Sequence, residues 1–176
     1  ERLWAKHFDL DAEIMDRLQN QIPGYSMRMQ EVTAAMLTPQ IERLEHIKNT
    51  HVENWTLLHS LVKGYTNIEV PMPLSQVDSF CDTMQFHLVG LSREKADQFI
   101  DLMKMEGIPM QIFGAKRNAR DYRQWEYIEA HKQELGETIA NIEFACDLSL
   151  QPHLTQENMR TIAQVISEVL AYINAQ

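Results

Sequence analysis

The sequence predicts an α/β fold in which long helices are followed by a small domain with a three-stranded sheet. Apolar residues recur at helical spacing through the first 64 residues, and from Ile68 onward strand-like and helical runs alternate. A chain of 176 residues is long enough to bury one sizeable core, and it has no repeat, low-complexity tract or obvious linker. The change of pattern divides the chain into residues 1–65 and 66–176.

The first part reads as three helices. Residues 9–21 form a short amphipathic pattern that ends before the turn at Pro23-Gly24, and residues 24–37, "GYSMRMQEVTAAML", open a second helix. Thr38-Pro39 is predicted to interrupt it, with Thr38 as the N-cap and Pro39 as the first residue of the next helix.

The third of these helices carries a long apolar stripe before it ends at Gly64. A stripe of this length normally faces another helix or a partner subunit. Its members are Ile41, Leu44, Ile47, His51, Trp55, Leu58 and Val62.

The second part contains the sheet. "FCDTMQFHLVGL" reads as a strand, residues 92–107 as a helix capped by Ser92 and stopped by Gly107, and "IPMQIFG" as a second strand. This order is a crossover unit, which makes the two strands parallel neighbours or near neighbours. A third strand lies around "IEFACDLSL". The last helix begins at the cap Thr155 and has a regular apolar face, formed by Met159, Ile162, Ile166, Val169 and Ile173.

Composition excludes some classes of partner. The formal net charge of -9 and the pI near 5.2 argue against nonspecific binding to nucleic acid or to anionic lipid. The sequence has no apolar run of membrane-spanning length and no signal-peptide pattern at its start. Cys81 and Cys146 fit no metal-ligand spacing and are predicted to be buried free thiols, which favours a cytoplasmic setting.

The stretch "GYSMRM" is a candidate anion site. The start of a helix has unpaired backbone N–H groups and partial positive charge, so Ser26 and Arg28 could hold an anion there. The alternative is that Ser26 is only a helix cap, that Arg28 forms a structural salt bridge with an acid such as Glu31, and that the apolar residues are only core.

A second candidate site is the basic and aromatic segment "FGAKRNARDYRQWEYIEAHK". Its cations can pair with phosphates and its rings can stack on a base or sugar. The alternative is a solvated basic helix face whose aromatic residues pack on the sheet. The cations are Lys116, Arg117, Arg120 and Arg123, and the aromatic residues are Tyr122, Trp125 and Tyr127.

The remaining titratable residues predict no catalytic or metal site. His46, His51 and His59 lie on one helix, but their spacing does not bring three ligands to one point. His87 is interpreted as a satisfied core or domain-interface histidine. Asp82 and Asp147 lie in strand-like runs and could be neighbours, with nothing else to mark them as a catalytic pair.

The order of these segments resembles the DegT/DnrJ/StrS-type nucleotide-sugar aminotransferases. That family typically has G-x-N-x-R-M, an E-x-x-A-A stretch and Q-L-x-x-L, and this chain has "GYSMRMQEVTAAMLTPQIERLEHI". The segments "FHLVGLSREKADQFIDLMKMEGIPMQIF" and "ACDLSLQPHLTQENMRTIAQVI" are similar to the family's later strands and last helix. The resemblance covers roughly residues 24–173, which is nearly the whole chain.

The resemblance implies a fold type I enzyme that uses pyridoxal phosphate and has two active sites across a homodimer. Residues 1–65 would then be the helical end of the large domain with dimer-contact helices, and residues 66–176 the small C-terminal domain. It implies that the position of Ser26 contacts the cofactor phosphate in the neighbouring subunit, with Tyr25 and Arg28 in the same motif. The implied partners are a nucleotide-linked keto sugar and an amino-acid amino donor.

Three departures from the family pattern matter. The lysine that binds the cofactor lies upstream of G-x-N-x-R-M in the family, and only Lys6, interpreted as a surface residue, precedes the motif here. Ser26 replaces the motif's asparagine. The family's H-x-Q-P-like loop is replaced by the basic segment, so Lys116, Arg117 and Arg120 are substrate-binding candidates on their own chemistry alone.

These departures leave three functions open. The first is the C-terminal part of a sugar aminotransferase that does not transaminate by itself. The second is a pyridoxal-phosphate-dependent sugar dehydratase of the same family, and the third is a noncatalytic dimerisation or binding module that lacks the lysine half.

Overall fold

The computed structural model describes residues 29–72, 74–115, 118, 120–127, 129 and 133–175. The predicted helix at residues 9–21 and the residues Tyr25, Ser26 and Arg28 lie outside this range. The described helices are α1 (Glu31–Ile41), α2 (Leu44–Val62), α3 (Arg93–Met105), α4 (Gly136–Ile142) and α5 (Gln156–Asn174). The strands are β1 (Ile68–Glu69), β2 (Thr83–Leu88), β3 (Met110–Ile112) and β4 (Ala145–Ser149), and a 3₁₀ turn spans Tyr122–Gln124.

The strands form one sheet in the order β1-β2-β4-β3, and each neighbouring pair is antiparallel. Because β4 lies between β2 and β3 and is antiparallel to both, β2 and β3 run parallel to each other as near neighbours, as predicted. The prediction of three strands is wrong. The fourth strand is β1, a two-residue edge strand in which Ile68 lies opposite Leu88 and Glu69 opposite His87.

The predicted break at Thr38-Pro39 is also wrong. Helix α1 continues through Pro39, and α2 begins at Leu44 after a short turn. A proline inside a helix removes one backbone donor, and here the hydroxyl of Thr38 donates to the carbonyl of Ala34 at 3.0 Å instead of capping a new helix.

The predicted stripe of α2 is buried along only part of its length. His51, Trp55, Leu58 and Val62 are buried and α2 contacts α5, whereas Ile41 and Leu44 are 68% and 50% exposed. The side-chain amide of Asn54 donates to the carbonyl of Leu154 at 2.8 Å, which ties α2 to the turn before α5.

Helices α3 and α5 follow their predicted signals closely. The Ser92 hydroxyl accepts from the Lys95 N–H, and Gly107 after α3 has a positive φ of 78°. Thr155 caps α5 in a reciprocal capping box with Asn158. All five apolar residues predicted for the face of α5 are buried.

The two faces of the sheet differ in polarity. Buried apolar residues of the strands, including Met84, Phe86 and Leu148, pack with the helices in one core, and the Phe86 ring meets Phe99 of α3 edge-on at 6.4 Å. By strand alternation, Gln85, His87, Gln111 and Asp147 lie on the other face. A polar row therefore crosses three strands, with Gln85 and Gln111 opposite Asp147 on either side.

The two cysteines differ in environment. Cys146 is fully buried in β4 as predicted, but Cys81 is only half-buried and has φ of 58°, so the prediction for Cys81 is wrong. Both are free thiols. None of the helices in the described ranges combines the length and the apolar character that crossing a bilayer requires.

Candidate functional site

The described part of the basic segment lies beside the carboxyl end of β3. Of the three cations expected to bind substrate, only Arg120 is described; Lys116 and Arg117, and the cofactor-binding candidates Tyr25, Ser26 and Arg28, fall outside the described ranges. The structure therefore places one candidate substrate contact, and the site is built around it.

Asn118 fixes the segment to the end of β3. Its side-chain amide donates to the carbonyl of Ile112 at 2.9 Å, and its side-chain oxygen accepts from the backbone N–H of Arg120 at 3.1 Å. Asn118 is itself buried. This small side chain thus sets the path of the backbone immediately before Arg120.

Arg120 folds back onto the polar face of the sheet. Its Nη1 lies 2.5 Å from Oδ2 of Asp147 in β4, and its guanidinium carbon lies 5.2 Å from the centre of the Phe113 ring. The side chain of Asp147 is 8% exposed, whereas that of Arg120 is 50% exposed. One edge of the guanidinium is therefore held by a buried carboxylate while much of the side chain remains open to solvent.

The second arginine of the segment is held more completely. Arg123 Nε and Nη2 donate to the two carboxylate oxygens of the buried Asp121 at 3.0 and 2.8 Å, and Nη1 lies 3.5 Å from Glu143. The hydrogen bond to Asp121 raises the pKa of Arg123, so the guanidinium stays charged. Arg123 has a structural role in this arrangement.

The described residues of the segment form turns and not the solvated helix face given as the alternative. Its described residues include the 3₁₀ turn Tyr122–Gln124. Tyr122 is buried, and its hydroxyl donates to the carbonyl of Gln133 at 2.8 Å and accepts from the N–H of Leu135 at 3.2 Å. The Trp125 and Tyr127 rings stack with centres 6.4 Å apart.

Charges in the described part of the site nearly cancel. The two arginines are matched by three carboxylates, those of Asp121, Glu143 and Asp147. The site can offer Arg120 as a directed hydrogen-bond donor, but an excess of positive charge has to come from Lys116 and Arg117, which are its neighbours in sequence.

No lysine in the described residues fits the attachment of pyridoxal phosphate. Lys48 contacts Asp78, and this hydrogen bond raises the pKa of its amine, which disfavours the neutral nucleophile. The Lys95 amine donates to the carbonyl of Ile173 at 2.9 Å, and Lys63 and Lys104 are exposed.

The remaining sequence candidates do not join the site. His87 is half-buried opposite Glu69, and His51 is buried against the Phe80 ring at 5.3 Å. Asp82 lies one residue before β2, and its carbonyl accepts from Leu150, while Asp147 lies opposite Gln85. The two aspartates are therefore not directly opposed.

Sequence reasoning missed Asn118 and Asp121, the two residues that shape the segment. A signal was present, because asparagine and aspartate commonly fold the backbone back on itself by accepting from an N–H two residues on. Both do so here: Asn118 accepts from Arg120 and Asp121 accepts from Arg123.

Comparison with known families agrees with the order of the elements. The sequence model of the DegT/DnrJ/EryC1/StrS aminotransferase family matches residues 5–167. The chain belongs to this family. Among curated protein sequences, none matches the chain.

Solved structures of DegT/DnrJ/EryC1/StrS-type enzymes share the fold. The PLP form of Spr1654 from Streptococcus pneumoniae, a proposed sugar aminotransferase, is 18% identical to this chain with a TM-score of 0.67. The match covers 93% of this chain and 45% of Spr1654. The Helicobacter pylori aminotransferase PseC, involved in the biosynthesis of pseudoaminic acid, is 12% identical with a TM-score of 0.68, and the coverages are 90% and 46%.

A third structure is an E. coli GDP-4-keto-6-deoxy-D-mannose-3-dehydratase with bound hydrated PLP. It is 14% identical with a TM-score of 0.60, covering 89% of this chain and 40% of its own. The chain thus spans less than half the length of these solved relatives. At such identities the likeness establishes the fold, and the family implies dependence on pyridoxal phosphate.

Proposed function

We propose that this chain is the C-terminal part of a pyridoxal-phosphate-dependent aminotransferase that acts on a nucleotide-linked keto sugar in the cytoplasm. The observation that carries the proposal is the family match over residues 5–167, within a chain whose described lysines do not fit cofactor attachment. The lysine then belongs to a preceding part of the polypeptide, as the partial coverage of the relatives supports.

The cofactor contacts proposed for this chain are Tyr25, Ser26 and Arg28, directed at the cofactor phosphate of a neighbouring subunit. An arginine near the start of a helix is a sound phosphate ligand, since the guanidinium forms charge-assisted hydrogen bonds and the helix start adds partial positive charge. Ser26 donates from a shorter side chain than the family's asparagine.

The proposed partner is a second copy of the enzyme. Helix α1 is apolar on more than one side, yet every one of its residues is exposed. The exposed large residues of this region, here called the α1 surface, are Met29, Val32, Met36, Leu37, Ile41 and Leu44. An apolar surface of this kind is typical of a protein contact, and a dimer would cover it.

Arg120 is proposed to bind the substrate together with Lys116 and Arg117. The half-exposed side chain of Arg120 supports this proposal, because a phosphate of the nucleotide could accept hydrogen bonds from the guanidinium donors that Asp147 does not use. The aromatic pair Trp125 and Tyr127 lies in the same segment and offers apolar surface for a base or sugar.

The experiment that tests the proposal is a substrate assay on the native full-length polypeptide with added pyridoxal phosphate. Nucleotide-linked keto sugars are supplied with glutamate, glutamine or alanine, and products are identified by mass spectrometry. We expect an amino sugar together with the keto acid of the donor. If a cofactor-loaded preparation returns every sugar unchanged, the proposal is wrong.

A sugar dehydratase is the second candidate, and the E. coli dehydratase among the similar structures favours it. The same assay separates the two, because dehydration removes water from the sugar and transamination replaces a carbonyl oxygen by an amino group. A noncatalytic module predicts neither product and no cofactor in the purified protein.

A further inference from the structure

We propose that Asp147 is a positioning residue that holds Arg120 in place for the phosphate groups of the substrate. The inference rests on the proposed function, because it assumes that Arg120 binds a nucleotide-linked sugar. It adds a residue in β4 that no sequence pattern singled out for this purpose, and it assigns that residue a role through Arg120 and not through contact with the substrate.

The position of Asp147 is unusual for an acid. It lies in the middle of β4, a strand paired on both sides, and only 7% of the residue is exposed. A carboxylate removed from water is costly, and an apolar residue at such a site is often neutral or stabilising by comparison. Stability alone therefore gives a weak reason for an aspartate here.

The two carboxylate oxygens of Asp147 differ in their hydrogen bonding. Oδ2 accepts from Arg120, but Oδ1 is buried and has no hydrogen-bond partner among the residues that the structure describes. A buried acceptor without a partner lowers stability. The pair is thus not arranged to maximise stability, whereas it does fix one end of Arg120.

The geometry of Arg120 shows what the contact achieves. Asp147 binds Nη1, the Phe113 ring lies 5.2 Å from the guanidinium carbon, and Asn118 holds the preceding backbone. Asp147 and the Phe113 ring contact the Arg120 side chain and Asn118 holds its backbone, so rotation of the side chain is restricted. Because the Arg120 side chain is 50% exposed, we infer that its N–H donors not bound by Asp147 can donate to an anion with less loss of side-chain entropy.

A purely electrostatic role and a positioning role of Asp147 predict opposite changes in anion affinity when its carboxylate is removed. Asp147→Asn deletes a negative charge next to the proposed phosphate site, so simple electrostatics predicts tighter anion binding. Positioning predicts weaker binding, because the neutral amide holds the guanidinium less firmly.

The test uses the native full-length polypeptide and inorganic pyrophosphate, a probe that carries the diphosphate group without a base or sugar. Affinity is measured by titration calorimetry at low salt, with melting curves for each variant. We expect Arg120→Gln to weaken binding about tenfold to a hundredfold, the range for a lost hydrogen bond to a charged group. We expect Asp147→Asn to weaken it severalfold, with no further loss when it is added to Arg120→Gln.

Two further variants complete the design. Arg120→Lys keeps the charge but not the fork of donors, so the positioning account predicts nearly the loss seen with Gln. Arg160→Gln, on the exposed side of α5, changes the net charge equally and should bind like the wild type. If Asp147→Asn fails to fold, Arg120→Lys still decides, since wild-type affinity in that variant would contradict the inference.

The outcomes separate the two proposals. Weak binding in Arg120→Gln with unchanged or tighter binding in Asp147→Asn would overturn the positioning role and leave Arg120 as a substrate contact. Wild-type affinity in Arg120→Gln, or no binding by the wild type, would overturn the proposed substrate contact and the positioning role together.

Discussion

At the residue scale, Cys146 shows how burial controls reactivity. Burial raises the pKa of its thiol to about 12, whereas Cys81 is half-buried before β2. The thiolate is the reactive form of cysteine, so at pH 8 we expect a thiol reagent such as Ellman's reagent to label Cys81 and to spare Cys146 until the protein unfolds. Peptide mapping of the labelled protein checks this, and rapid labelling of Cys146 in the folded protein would show that its environment is not as described.

The same thiol predicts a dependence of stability on pH. The folded-state pKa of Cys146 lies above the unfolded value of about 8.5, so the unfolded chain loses this proton first as pH rises. Its contribution is fully present below pH 8.5 and is lost between that pH and about 12, by up to roughly 1.4 kcal/mol per pH unit. Denaturant titrations should show a smaller alkaline loss in Cys146→Ala than in the wild type.

Arg28 and Ser26 carry the prediction about the cofactor. If they reach a phosphate across the dimer, Arg28→Ala should weaken cofactor binding by about 1.5–3 kcal/mol in the complete enzyme. Removing the Ser26 hydroxyl should cost less, and Ser26→Asn should be tolerated or bind more tightly. Cofactor titrations paired with melting curves test this. Unchanged cofactor affinity with reduced stability in Arg28→Ala would favour the helix-cap and salt-bridge alternative.

At the element scale, the end of β3 and the end of α4 approach each other closely. The N–H of Gly114 donates to the carbonyl of Ile142 at 2.8 Å, and a Cβ on Gly114 would lie 3.0 Å from that oxygen. Gly114→Ala should therefore destabilise the fold by about 1–3 kcal/mol. Gly136→Ala is the matched control, because nothing lies within 4 Å of its Cβ position. Equal denaturation midpoints for the two variants would contradict this description.

The elements also show what the sequence could predict. Local sequence signals predicted the Ser92 and Thr155 caps and the apolar face of α5, because each of these features depends on residues that are close together in the sequence. Thr38-Pro39 misled because one missing donor can be absorbed within a helix, and β1 was missed as a strand because two residues carry no alternating pattern. The pairs Arg120–Asp147 and Asn54–Leu154 join residues far apart in sequence, so no local pattern reveals them.

At the scale of the whole molecule, the division at residue 65 and the dimer remain predictions. Residues Trp55, Leu58 and Val62 of α2 share the core of the sheet that follows, whereas the α1 surface is exposed. The described residues thus form a well-packed body, and the α1 surface is the region that we propose a partner covers.

Two methionines offer a direct check of the proposed dimer. Met36 on α1 and Met105 at the end of α3 are 69% and 80% exposed in this chain. In the native dimer we expect peroxide to oxidise Met36 severalfold more slowly than Met105, because only Met36 would be covered. Dilution that dissociates the dimer, as monitored by sedimentation, should remove the difference between the two oxidation rates. Equal rates in a protein that sediments as a dimer would place the contact elsewhere.

The most direct test of the central claim is to locate the cofactor on the native polypeptide. Pyridoxal phosphate is fixed to its lysine with borohydride, and the modified peptide is identified by mass spectrometry. The account predicts one modified lysine in sequence that precedes residue 1 of this chain. A modified lysine within residues 1–176, or a native protein that takes up no cofactor, would contradict it.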